Sequence, residues 1–356
     1  MKILISGICG FVGSSLAAGL READSTLDIT GFDNFIRPGS ETNRLRLREL
    51  GIAVQHADVR STSDMAALPG ADWVLDAAAL PSVLAGVDGR SSSRQLIEHN
   101  LGGTINLLEY CRERRAGFLL LSTSRVYSIA PLATLPLQMK RGAFTPDLAQ
   151  ALPPGVSTAG VGETFSTTPP LSLYGSTKAA SEMLALEYGA AFDFPVWINR
   201  CGVLAGSGQF GQAEQGIFSF WIHAWAAKRA LRYIGFEGTG AQTRDALHPR
   251  DLLPLLRAQL AAGASAGRPQ IVNAAGGAAN SMSLAQLSAW CAERFGPREV
   301  AADPRPRPFD VPWLVLDSAL AAQTWNWRPA TPLLAILEEI ATHATNHPEW
   351  LALSQP

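Results

Sequence analysis

Tyr174-Gly175-Ser176-Thr177-Lys178 places a phenol and an ammonium four residues apart. On a helix that spacing puts both on one face, about 5–6 Å apart at Cβ. The ammonium is expected to draw the phenol's pKa down towards neutrality and make Tyr174 a usable general base. The plain alternative is an exposed pair on an amphipathic helix, so an independent check is needed. Thr123 supplies it: the residue follows the apolar run Phe118 to Ser122, which reads as a strand, and ligands gather at the carboxyl ends of parallel strands. A hydroxyl there can bond a substrate hydroxyl and the Tyr174 oxygen together. Thr123, Tyr174 and Lys178 are therefore the candidate proton-handling set for oxidation of a secondary alcohol.

An oxidation needs a hydride acceptor, and the amino-terminal end reads as its binding site. Ser6-Gly7-Ile8-Cys9-Gly10-Phe11-Val12-Gly13 follows a first strand and opens a helix. Glycines there permit a tight turn, close backbone approach to a pyrophosphate and close helix-to-strand packing, with the helix N-terminus facing the phosphates. The spacing is GxxGxxG, and its position after the strand carries more weight than the glycines themselves. Twenty residues beyond Gly13, Asp33 ends the second strand. A carboxylate there accepts from ribose hydroxyls and repels a 2′-phosphate, which favours NAD over NADP, with Arg37 nearby softening that preference.

The elements that must position these groups follow a βαβ rhythm over the first 125 residues. Strands are expected at Lys2 to Ser6, Leu27 to Asp33, Ile52 to His56, Trp73 to Ala77 and Phe118 to Ser122. Ser92 to Arg115 reads as a helix with Leu96, Ile97, Leu101, Ile105 and Leu108 on one face. Residues 128 to 170 carry seven prolines and read as an irregular excursion. A helix from Tyr174 to about Ala191 and a strand from Pro195 to Arg200 follow. Further on, Leu231 to Phe236 reads as a strand, and Leu252 to Leu260, Leu284 to Phe295 and Leu333 to His343 as helices. The expectation is an α/β chain: a Rossmann-type doubly wound parallel sheet over 1–200, then a smaller α/β substrate-binding region over 201–356, with 229–250 returning to the first domain.

Composition agrees with a folded enzyme. The 356 residues are 47% hydrophobic and 17% charged, which excludes a disordered chain. A net charge of -2 without like-charge runs argues against nucleic acid or an acidic membrane as partner. Cys9, Cys111, Cys201 and Cys291 lie far apart with no CxxC, so reduced thiols and no metal site are expected. No run suits a membrane span, and Met1 to Ser6 is too short for a signal peptide, so the expected location is cytoplasmic. His343 and His347 sit four apart on the last helix, where a surface helix end is the expected reading. Phe218, Phe220, Trp221 and Trp225 are expected as core or subunit contact, base stacking being the alternative.

With these residues in view, the chain resembles the extended short-chain dehydrogenase/reductase family of nucleotide-sugar epimerases and dehydratases over nearly its whole length. The blocks carrying the resemblance are Gly7 to Gly13, Phe32-Asp33-Asn34, Ala57-Asp58-Val59, Asn100 to Leu108, Ser122 to Tyr127, Tyr174 to Lys178 and Arg244 to His248. Gln209-Phe210, Gln215-Gly216, Gly238 to Asp245 and Asn280 to Leu284 look most similar to the CDP-paratose 2-epimerase branch. The resemblance implies a tightly held NAD and a nucleotide-sugar substrate. It assigns the dinucleotide to Gly7, Gly10, Phe11, Val12, Gly13, Asp33, Asn34, Arg37, Asp58, Val59, Ala77, Ala78, Ala79, Asn100, Ser122, Tyr174, Lys178 and Val203. It assigns the substrate to Ser124, Gln209, Gln215, Arg244 and Arg307, the two arginines pairing with phosphates. It also implies a homodimer through the helices corresponding to Ser92 to Arg115 and Tyr174 to Ala191.

Three departures stand out. Asp76 replaces the usual His before the alanines, Ser128 replaces a Gly after Tyr127, and the 128–170 excursion is long enough to reshape the sugar pocket. A 4,6-dehydratase needs an acid and a base directly after the catalytic Thr, and this chain has Ser124 and Arg125 there. Epimerisation needs neither. A 4-epimerase, a reductase and a non-catalytic dinucleotide sensor are the other readings, although a sensor has no reason to keep Thr123, Tyr174 and Lys178 together.

Overall fold

The computed structural model describes residues 1–87, 89, 92–264 and 267–354. The first strands are β1 (Lys2–Ser6), β2 (Asp28–Asp33), β3 (Ala53–His56), β4 (Trp73–Asp76) and β5 (Gly117–Thr123). Next come a hairpin, β6 (Leu137–Lys140) and β7 (Ala143–Pro146), then β8 (Val196–Cys201), β9 (Val203–Leu204), β10 (Arg232–Ile234), β11 (Thr243–Leu247) and β12 (Ile271–Ala274). β13 (Ser281–Ser283), β14 (Ala301–Asp303) and β15 (Trp313–Leu314) complete the order. Seven of these form one parallel sheet in the order β12-β8-β5-β4-β1-β2-β3. The order reverses beside β1, and the cleft opens at the carboxyl ends there.

Alternation along the strands sends side chains to two cores. Ile3, Ile5 and Ile29 pack with Leu16 and Leu20 of helix Phe11–Ala23 and with Leu252, Leu255 and Leu256 of helix Pro249–Ala262. Leu4, Val74 and Leu120 pack on the other face with Leu107 and Leu108 of helix Gly103–Arg114 and with Ala185 of helix Leu173–Phe192. Strands buried on both faces read as near-continuous apolar runs. Helix Leu173–Phe192 starts where the Ser172 hydroxyl accepts from the Gly175 amide, 3.0 Å away.

Residues 229–250, expected to return to the first domain, place neither β10 nor β11 in the large sheet. β11 pairs with β9, β13 and β15 in a smaller sheet, and β10 pairs with β14. Helix Pro249–Ala262 and β12 return instead, the helix against Phe11–Ala23 and the strand at the edge beside β8. Within β12, Asn273 interrupts a short apolar run yet is buried, donating to Val161 and Asp317 carbonyls and accepting from the Tyr127 hydroxyl.

The excursion 128–170 is partly regular: a short helix, Ile129–Ala133, precedes the β6–β7 hairpin. Arg141 and Gly142 turn that hairpin with φ of 52° and 74°, and Ser283 and Thr243 hydroxyls bond its Gly142 and Phe144 carbonyls. None of these residues lines the main cleft, so the expected reshaping of the sugar pocket is corrected: the excursion buttresses the smaller sheet. Phe218, Trp221 and Trp225 are buried in a third core, with Trp221 stacked on Tyr233. Phe220 packs against it partly buried. His343 is not a free helix end; it meets His223 at 3.1 Å and the Trp350 ring. No helix among the described residues is long and apolar enough to cross a membrane.

Candidate active site

One cleft of about 490 Å³ runs from the glycine turn after β1 to the small sheet. At one end the three glycines play different parts. Gly7 has φ +60°, and a Cβ on it would meet Ala78 Cα at 2.9 Å; a Cβ on Gly13 would meet the Gly7 carbonyl at 2.3 Å. Gly10 is the N-cap of helix Phe11–Ala23 and has no side chain over the first-turn amides, which Phe11 and Val12 carry into the cleft wall. This is a cradle for phosphate oxygens.

Asp33, at the end of β2, accepts from the Cys9 amide at 3.0 Å and the Phe35 amide at 2.8 Å. Burial raises its pKa while these amides oppose the rise. Two bonds leave a carboxylate free lone pairs for hydroxyl donors. Asn34, Arg37 and Val59 line the same end; Arg37 is desolvated, its pKa drawn down to about 10, and its guanidinium donates to the Phe210 carbonyl.

Asp58 and Asn100 stand behind the wall, not in it. Asp58 accepts from Asn34 Nδ2 at 3.1 Å, and the Arg60 guanidinium holds its carboxyl far below the usual range. Asn100 lies in a π turn, Glu98–Gly102, where its Oδ1 accepts from Leu80 at 2.8 Å and its Nδ2 reaches Thr177 Oγ1 at 3.2 Å. It thereby ties the loop after β4 to helix Leu173–Phe192. Ala77, Ala78 and Ala79 of that loop line the cleft, and Ser6 Oγ accepts from the first two amides while donating to Asp76 at 2.6 Å. Asp76, which departs from the resemblance, is thus a buried brace.

At the centre lie Ser122, Thr123, Ser124, Tyr174, Lys178 and Val203. The Thr123 hydroxyl accepts from the Arg125 amide at 3.2 Å and lies beside the Tyr174 phenol, where it favours the ionised form. Lys178 is 2% exposed, one helical turn beyond Tyr174. The expected lowering of the phenol's pKa is corrected here. Burial pushes Tyr174 up to about 12, against the opposing Thr123 hydroxyl and Arg125 charge, because a desolvated phenolate costs more than these partners return.

The far end holds Gln209, Gln215, Arg244 and Arg307. Arg244 donates to the Thr243 and Val311 carbonyls and pairs with Asp310 at 2.6 Å. Arg307 donates to the Ala213 carbonyl at 3.2 Å. Gln209 and Gln215 each carry a buried Oε1 with no protein partner among the described residues. Sequence reasoning missed Gln242, whose Oε1 is orphaned in the same wall, and Arg125, noted only for not being an acid. It also missed Glu182, two turns along the helix from Tyr174, which a buried acid in that register could have signalled.

The profile of the NAD dependent epimerase/dehydratase family matches residues 3–275. CDP-paratose 2-epimerase of Salmonella typhi is 28% identical over 300 residues, 81% of this chain and 82% of that protein. The solved UDP-glucuronic acid 4-epimerase of Bacillus cereus, in complex with UDP-glucuronic acid and NAD, superposes with a TM-score of 0.74 at 23% identity, covering 97% of this chain and 99% of that one. The UDP-glucose 4-epimerase of Stenotrophomonas maltophila, with bound NAD and formylated UDP-arabinopyranose, gives 0.75 at 20% identity, over 97% and 98%. At these identities the two structures establish the fold. The family match and the glycine, Asp33 and Thr123–Tyr174–Lys178 geometry together make the chain an enzyme of the NAD-dependent epimerase/dehydratase family.

Proposed function

We propose that the chain epimerises a CDP-activated sugar at C2 by transient oxidation, with NAD held throughout the cycle. The observation that carries this is the pairing of Thr123 with Tyr174 in a wall whose next residues, Ser124 and Arg125, bring no carboxylate for elimination. The similarity to CDP-paratose 2-epimerase supplies the base and the carbon.

Gly7, Gly10, Gly13 and Asp33 would hold the dinucleotide, with Ala77 to Ala79, Ser122 and Val203 along its path. When bound, NAD would supply the hydride acceptor and donor. In the loaded enzyme, where the positive charges of Lys178 and of NAD would offset the burial that raises its pKa, Tyr174 would act as the phenolate that takes the proton of the reacting hydroxyl and returns it after the flat ketone has presented its other face. Thr123 orients that hydroxyl beside Tyr174. Lys178 contributes a fixed positive charge inside the helix-covered wall. Arg244 and Arg307 anchor the phosphates, charge-assisted donors being the strong choice for that task.

The reading includes a cytoplasmic homodimer. Helices Gly103–Arg114 and Leu173–Phe192 pack together, Tyr188 donating to Glu109 at 2.7 Å, and Met183 on the second is 64% exposed. All four cysteines are buried and free.

Purification without added nucleotide, denaturation and quantification of the released dinucleotide tests the retained cofactor. Near-stoichiometric NAD or NADH is expected, followed by turnover of CDP-sugars and not UDP- or GDP-sugars. An empty protein indicates a dissociable coenzyme and a dehydrogenase. A dimer in sedimentation at micromolar concentration is expected, and a monomer contradicts that part.

A further inference from the structure

Arg125 is fixed by both halves of the reacting centre. It lies in the 3₁₀ turn Ser124–Val126 directly after β5, and its amide donates to Thr123 Oγ1. Its carbonyl oxygen sits 2.2 Å from where a Cβ on Gly175 would lie, so only glycine beside Tyr174 lets the turn approach this closely. Arg125 lines the cleft with Arg244 and Arg307.

The three arginines differ in what they already hold. Arg244 is committed to Asp310 and two carbonyls, and Arg307 to the Ala213 carbonyl. The Arg125 guanidinium has no hydrogen bond or ion pair among the described residues. Burial draws its pKa down to about 10, the Arg244 and Arg307 charges adding to the fall and Asp310 opposing it. A partly buried cation in a cleft wall, with no hydrogen bond or ion pair of its own among the described residues, calls for an anionic ligand.

Resting on the function proposed above, we infer that Arg125 is a third phosphate-binding arginine, which holds the phosphate on C1 beside the Tyr174 phenol and so presents C2 to the reacting groups. In a nucleotide sugar the β-phosphate is attached at C1. C2 is bonded to C1, whereas C4 lies across the ring. A site that reacts at C4 must keep its phosphate clamp a ring's width from the phenol. A site that reacts at C2 must bring the phosphate close, and Arg125 is the cation in that place.

The test compares nucleoside diphosphate with monophosphate binding to the NAD-loaded enzyme by calorimetry, for the wild type, Arg125→Met and Arg125→Lys. A lost charge-assisted phosphate contact corresponds to about 10- to 100-fold in affinity. Arg125→Met is expected to lose that factor for CDP and not for CMP, with Arg125→Lys recovering part and NAD content unchanged. Undiminished CDP affinity, or equal loss for CMP, overturns the assignment. Should the wild type bind UDP and UMP and not the cytidine pair, the CDP reading fails, while the same comparison with the uridine pair still decides Arg125. A primary deuterium isotope effect is expected from substrate labelled at C2; an effect from C4 alone overturns the choice of carbon.

Discussion

Glu182 and Arg200 form a bidentate ion pair, 2.7 Å at its shortest, with side chains only 4% and 8% exposed. Glu182 shares its helix with Tyr174 and Lys178, and Arg200 lies on β8, so the pair fixes the reacting helix against the sheet. Ser122, beside Thr123, donates to the same carboxylate. Breaking one partner of a buried pair costs about 3–5 kcal/mol. Glu182→Ala is therefore expected to lower stability by that amount in denaturant melts. The double variant Glu182→Met, Arg200→Leu should lose less than either single change, as double-mutant analysis would show.

Tyr174→Phe removes the proton acceptor and leaves the packing of the ring. A loss of about 10²- to 10⁴-fold in kcat is expected, with NAD content and melting temperature close to wild type. Thr123→Ser keeps the hydroxyl and should retain most activity, whereas Thr123→Val should resemble Tyr174→Phe. Steady-state kinetics on the same substrate separates these outcomes.

How much was legible is best seen in particular elements. β1 and helix Leu284–Phe295 fall where expected, the first because an apolar run meets a glycine turn, the second because Ser283 and Gln286 form a capping box. The glycine turn, Asp33, Thr123 and Tyr174 were readable because each has a local pattern. β12 was not, since Asn273 looks like a loop residue until its partners at Tyr127, Val161 and Asp317 are known. The β6–β7 hairpin was hidden because Arg141-Gly142 is not one of the usual turn dipeptides. The height of the Tyr174 pKa depends on burial, which the i, i+4 spacing does not encode.

Asp33 holds the glycine turn and β2 together through the Cys9 and Phe35 amides. Asp33→Ala is expected to empty the dinucleotide site while the seven-stranded core survives. Purified protein should then release little NAD on denaturation, with circular dichroism unchanged. Full retention of NAD in this variant contradicts the role given to Asp33.

Asp245 is 1% exposed, and burial raises its pKa from 3.8 to about 7 against the Gly277 and Gly276 amides that favour the charged form. Because the folded pKa lies above the unfolded one, its contribution to stability is complete below pH 3.8 and is lost as pH rises through 7. One such group changes the slope of stability by up to about 1.4 kcal/mol per pH unit. Asp245→Asn is expected to flatten the fall in stability between those values, measured by denaturant titration across the range.

The most direct measurement of the central claim is proton NMR of CDP-paratose with catalytic enzyme in D₂O and no added coenzyme. The account predicts conversion to the C2 epimer with protium retained at C2, since the hydrogen leaves and returns without meeting solvent. Deuterium at C2, or conversion that requires added NAD, would contradict it.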